Sequence, residues 1–234
     1  MNKQHADGRR RWWIPPWPRR SGPAGPYRRV AVQLHYDLLE AGVNRSVLVV
    51  DVDSPTVCAR SSILLARCAA EELGRSVLLA DACPGVPIAS RHAGCEGRPG
   101  FAEFLQDPSG DLANFVLATD VPGVSLLGAG AGALHTAAPE RLGQVVRAAE
   151  EAFGLVILCG GAVLHDECTP LALAPHAGCV LLSVVEGATR IRDMEAAQEA
   201  LALCRPPRVG LLLTARLRAG DAAIRVSPNG AERG

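Results

Sequence analysis

Six short apolar runs recur along the chain and decide what it can fold into: VLVV (47–50), SVLLAD (76–81), VSLLGAG (124–130), LVILC (155–159), CVLLSVV (179–185) and VGLLLT (209–214). Each is strand-length and has no polar face, so as a strand it must be covered on both sides. Helical patterns fill the gaps. They span 27–41 ended by Gly42, 60–73 closed by Gly74, 101–105, 139–152, 167–174 and 189–204. Strand and helix alternating in this way predict an α/β fold: a three-layer, doubly wound, mostly parallel sheet. No repeat of 20–50 residues competes with that reading.

A chain of 234 residues suits one such domain with short appendages. The composition divides it into residues 1–26, a folded body over 27–216, and a polar, glycine-containing tail over 217–234 that is expected to be loose. Residues 9–20, RRRWWIPPWPRR, hold five arginines, three prolines and all three tryptophans. Proline at that density excludes a regular helix or a central strand. Two readings remain: a disordered tail, or a segment that docks on a partner or a membrane surface, where tryptophan and arginine suit the headgroup layer.

The 24 basic and 24 acidic residues cancel, which argues against a general nucleic-acid binder. No uncharged apolar stretch reaches about 18 residues, and the N-terminus lacks the apolar core of a secretory signal. These features predict a cytoplasmic protein, peripheral at most on the inner face of the membrane. The eight cysteines are scattered without a C-x-x-C pair, so no zinc framework is expected and the thiols should be free and mostly buried.

In parallel sheets, ligands bind at the carboxyl ends of the strands. The informative residues are therefore DVDSPTVCARSS after VLVV, Ala80-Asp81-Ala82-Cys83-Pro84 after SVLL, and Cys159-Gly160-Gly161-Ala162 after LVIL. On these and other segments the chain resembles the bacterial tyrosine-kinase (BY-kinase) domain, the cytoplasmic half of capsule and exopolysaccharide co-polymerases and a branch of the ParA/MinD P-loop superfamily. PYRRVAVQL is similar to E-A-Y-R-x-L-R, and RSVLLADACPGVP to K-R-V-L-L-V-D-A-D-x-R-x-P. GFAEFL is similar to G-L-S-D-x-L, and PGVSLLGAG with PERL to P-G-L-x-V-L-P-A-G and its helix. FGLVILCGGAVLHD is similar to F-D-x-V-I-I-D-T-P-P-V-x-x-x-D, and CVLLSVVEGATR and VGLLLT to the last two core strands. The order and spacing of these segments, over residues 27 to about 215, carry the resemblance.

The resemblance implies a nucleotide site whose letters have changed. A phosphate-binding loop needs glycines so that backbone N–H groups can close on phosphate, a lysine, and a Ser/Thr for magnesium. Against the family's P-G-E-G-K-[ST] stands Pro55-Thr56-Val57-Cys58-Ala59-Arg60, with Ala59 for the lysine and Arg60 for the Ser/Thr. A one-residue slip puts Arg60 at the lysine and Ser61 after it, and still leaves no glycine. Asp81 matches the first aspartate of the second strand, Cys83 replaces the second, Cys159 replaces the Walker B aspartate, and Thr214 stands for the adenine-side asparagine. Magnesium favours hard oxygen ligands over thiols. Of the ring-forming E-x-x-R-x-x-R motif, mapped to Gly25, Arg28 and Ala31, only Arg28 remains, and no tyrosine cluster stands near the C-terminus.

The implied function is a non-catalytic, pseudokinase-like regulator or scaffold in exopolysaccharide or capsule synthesis, without cofactor. Its partner would be a membrane chain-length determinant/co-polymerase or a related kinase domain. The alternative is an active tyrosine kinase or ATPase using ATP and magnesium through a rebuilt loop with Arg60, Ser61 and Asp81. A degenerate partitioning ATPase is the third reading. Because the family's three loops converge, Cys58, Cys83 and Cys159 are expected to sit together, as apolar filling or as a soft-metal or redox site.

Overall fold

Val47–Val50 offer apolar side chains to both faces, and the structure covers both. The computed structural model describes residues 24–40, 44–83, 85–107, 110–131, 139–165, 168–216 and 219–227. Strand β1 (Ser46–Asp51) is buried along its whole length. It belongs to a seven-stranded sheet with β2 (Val77–Asp81), β3 (Val116–Ala118), β4 (Val124–Leu127), β5 (Leu155–Ala162), β6 (Cys179–Val185) and β7 (Val209–Thr214). Their order is β3-β4-β2-β5-β1-β6-β7, and every neighbouring pair is parallel except β3–β4.

Alternate side chains of each strand enter two separate cores. Val47, Val49, Leu79 and Ile157 pack with α1 (Gly25–Glu40), α2 (Pro55–Leu73) and α3 (Ile88–Ala93). Leu48, Val50, Leu78 and Leu158 pack with α4 (Phe101–Gln106), α5 (Pro139–Ala152), α6 (Cys168–Leu173) and α7 (Ile191–Leu203). Each such Val or Leu contributes about 1.5–3 kcal/mol by leaving water. The three-layer, doubly wound arrangement is the one the alternating pattern predicts.

Four local differences have physical causes. Helix α2 begins at Pro55, five residues before the expected start, because Ser54 caps it: its extended backbone (φ −123°) and Oγ accepting from Val57 N at 3.3 Å precede a proline at the first helical position. Strand β3 and helix α3 were not expected. β3 is apolar but only three residues long and not buried, too short to stand out as a strand, while α3 is a single short helix after Pro87. Helix α1 starts at Gly25, two residues early.

The fourth difference is a correction to the loose tail. Residues 219–227 dock against the body with Ala222 and Ile224 fully buried. Arg67 donates to the Ala223 carbonyl (3.2 Å), Val226 N to Ala93 O (3.0 Å) and Ser227 N to Ala118 O (2.9 Å), and Val226 bridges Thr119. The sequence there is polar on average, but its two apolar residues are spaced to reach one groove. Residues 9–20 lie outside the described residues. No helix among the described residues is long and apolar enough to cross a membrane.

Candidate nucleotide-type site at the carboxyl edge

The turn from β1 to α2 holds the segment that the sequence matched to a phosphate-binding loop. Only Val52, Asp53 and Ser54 separate strand from helix. The turn folds around Asp51, the last residue of β1. Its Oδ1 accepts from Ser54 N (2.9 Å) and Asp53 N (3.2 Å). Asp51 is 1% exposed, and Oδ2 has no hydrogen-bond partner among the described residues. Burial pushes its carboxyl up to about 6, against the pull of the two backbone donors. With Ser54 Oγ on Val57 N, the N–H groups of the turn are occupied by acceptors of the chain itself.

The positions aligned with the phosphate loop lie in the first turns of α2. Pro55 is its first residue, Cys58 and Ala59 are fully buried against the sheet, and Ser61 is buried two residues on. Arg60 is half-buried and faces α3, where after burial it is the next cause lowering the His92 pKa.

Asp81 closes β2 and is fully buried. Its Oδ2 accepts from the backbone N and the Oγ of Ser90, both at 2.7 Å, and the same Oγ accepts from Ala129 N at 2.8 Å. Asp81 thus ties α3 and, through Ser90, Ala129 two residues past β4 to the sheet. Burial pushes its carboxyl up to about 6, partly offset by Ser90.

Asp81 pairs in register with Cys159 on β5. Cys58 donates its S–H to the Val49 carbonyl (3.1 Å), which leaves its sulfur to receive Cys159 at 3.7 Å. The contact with Cys58 and complete burial raise the Cys159 pKa well above the usual thiol value. Two of the three expected thiols therefore meet. Cys83 is buried one strand away, against Gly161, where a Cβ would stand 3.0 Å from its sulfur. Gly161 has φ +86° and forms, with Gly160, a one-residue bulge opposite β1: Val49 pairs with Cys159 but Asp51 with Ala162. No group of three or more His, Cys, Asp or Glu residues among those described could hold a metal.

A buried hydroxyl chain runs from Tyr27 on α1 to Ser61 on α2 (3.0 Å) and on to Ser183 on β6 (3.3 Å). Burial holds the Tyr27 hydroxyl far above the usual phenol range. Thr214 ends β7 beside it, 1% exposed, with no hydrogen-bond partner for Oγ1 among the described residues. Arg28, matched by sequence to the middle arginine of the ring motif, is exposed and pairs with Glu71 (3.2 Å) and Glu72 (3.5 Å) of its own chain. The sequence reading missed Asp51, Ser54, Tyr27, Ser90 and Ser183. The serine–proline pair after an apolar run was a readable helix start, whereas the serine and tyrosine partners had no local signal.

No family model and no curated protein matches the chain. Solved structures do. The BceF tyrosine kinase domain is 21% identical with a TM-score of 0.65, over 80% of this chain and 76% of that one. The kinase domain of the Escherichia coli tyrosine kinase ETK is 16% identical with a TM-score of 0.68, over 82% and 76%. The MinD cell division protein of Aquifex aeolicus is 13% identical with a TM-score of 0.53, over 72% and 68%. The strand order, the single antiparallel edge strand and these likenesses agree, and the chain has the P-loop fold shared by bacterial tyrosine-kinase domains and MinD/ParA-type proteins.

Proposed function

We propose that this protein is a non-catalytic, pseudokinase-like regulator or scaffold in bacterial exopolysaccharide or capsule synthesis and export. It would act at the cytoplasmic face with a membrane chain-length determinant/co-polymerase or an intact kinase domain. The kinase domains it resembles support the setting, and the carboxyl-edge geometry supports the loss of chemistry.

One observation carries the reading: the Asp51 carboxylate takes the Ser54 and Asp53 N–H groups of the strand-to-helix turn, where the fold would hold phosphate. Phosphoryl transfer depends on positioning and on neutralising charge. Here a carboxylate stands where donors are needed, α2 starts at Pro55 without a loop, and Ala59 points into the core. Cys159 and Cys58 fill the space beside Asp81 with sulfur, and Asp81 itself is engaged by Ser90. The residues present do not fit a nucleotide–magnesium pair.

Calorimetric titration of the purified chain with ATP, with and without magnesium, tests this. The expected result is no saturable heat and no tyrosine phosphorylation. Magnesium-dependent turnover that disappears in Asp81→Ala or Arg60→Ala would establish the active reading instead.

A further inference from the structure

The two edges of the sheet are finished differently. Short β3 is sealed by the chain itself, through Ser227 N on Ala118 O and the Thr119–Val226 bridge. At the other edge, β7 pairs only with β6 among the described residues. Its sequence VGLLLT has neither charge nor proline, the devices that normally blunt an edge. The carbonyls of Arg208 and Thr214 accept from Val180 and Glu186 on the β6 side. Residues alternate in a parallel ladder, so the N–H and C=O groups of Val209, Leu211 and Leu213 face away from the sheet.

A cleft of about 860 Å³ wraps the amino end of this edge, between Leu34 of α1, Leu181 of β6 and Ala202 of α7. Arg205 and Arg208 stand at its mouth. Arg208 is held by donating to the Asp37 carbonyl (2.9 Å), and the Asp37 carboxylate accepts from Gln33 (3.0 Å). The Arg205 guanidinium makes no hydrogen bond or ion pair among the described residues, and its backbone takes a left-handed φ of 50°, rare for a non-glycine residue.

We propose that the β7 edge is the docking site for an extended acidic segment of another protein. It would add as an eighth strand and set its carboxylates against Arg205 and Arg208. Other occupants fit less well. Residues 1–23 carry six basic residues and one acidic, the wrong sign for this cleft. Antiparallel pairing of two β7 strands would bring Arg216 of one copy toward Arg205 and Arg208 of the other. This inference does not rest on the absence of catalysis.

The test uses the full chain and a fluorescein-labelled peptide of alternating glutamate and valine, read by anisotropy. Saturable binding is expected. It should weaken about tenfold or more for the lysine–valine analogue and for the doubly substituted Arg205→Glu, Arg208→Glu chain. It should be lost when alternate peptide nitrogens are methylated. Amide exchange at Val209, Leu211 and Leu213 should slow several-fold in the complex. Absent binding, equal binding of the lysine peptide, or unchanged exchange at those three amides overturns the proposal. Concentration-dependent dimerisation abolished by Leu211→Asp would overturn it in favour of a second copy.

Discussion

The sulfur of Cys58, in the first turns of α2, lies 3.7 Å from that of Cys159 on β5 and joins helix to sheet at the carboxyl edge. Both thiols are buried, and each has a hydrogen-bonding role, so they hold helix to sheet as small apolar groups. Native protein should therefore react with a thiol reagent only as fast as it unfolds at these two positions. Mass mapping of labelled cysteines in the native state checks this. Rapid labelling of Cys58 or Cys159, or zinc co-purifying in stoichiometric amount, would contradict the packing role.

An aspartate in place of Cys159, the residue matched to the family's Walker B aspartate, should harm the fold. Cys159→Asp places a second carboxylate in register with buried Asp81, in a dry site with no cation to pair it. A loss of about 3 kcal/mol or more is expected by urea denaturation. Ala59→Lys should be equally unproductive, because position 59 faces the core. Neither variant should phosphorylate tyrosine.

The two buried aspartates predict an unusual pH profile. Asp51 and Asp81 titrate near 6 in the folded chain against an ordinary 3.8. Below about pH 4 both are protonated, folded or unfolded, and the native state has its full advantage. From about pH 4 to 6 the unfolded chain releases its protons first, so stability falls as pH rises, by up to about 3 kcal/mol per group, and then levels off. Asp51→Asn keeps an acceptor for the turn and should remove that group's share of the slope. Denaturation across this range, wild type against variant, reads the difference directly. Parallel profiles would show that Asp51 is not the titrating group.

Removing the cap should act locally. Ser54→Ala leaves Val57 N without its acceptor and should cost about 1 kcal/mol. Ile224→Ala should cost about 2–4 kcal/mol, since this residue anchors the docked C-terminal segment and is 1% exposed. Thermal or chemical denaturation measures both, and a neutral Ile224→Ala would mean that this segment is not held in solution.

What could be read from sequence follows from how local each signal is. The six apolar runs fix β1, β2, β4, β5, β6 and β7, because a strand buried on both faces needs no partner to be recognised. The carboxyl-edge placement of Asp81 and Cys159 follows from their positions at or near the ends of such runs. The start of α2 was legible in Ser54-Pro55, but matching those residues to a phosphate loop hid the helix they begin. Asp51 was passed over because its role depends on backbone N–H groups that close on it only when the turn is short. Tyr27, Ser61 and Ser183 are separated by 34 and 122 residues, and only the folded sheet brings their hydroxyls into a line.

The docked segment over 219–227 also has a consequence for the order of events during synthesis. It seals β3, which is made about a hundred residues earlier, so that edge stays unpaired until the segment has been synthesised. Central strand β1 likewise waits for β5 and β6, each more than a hundred residues downstream. Such distant pairings close slowly and leave apolar strands uncovered meanwhile. The nascent chain should therefore depend on holding chaperones until its last turn emerges, and premature termination before residue 219 should yield an aggregation-prone product rather than a slightly shorter working domain.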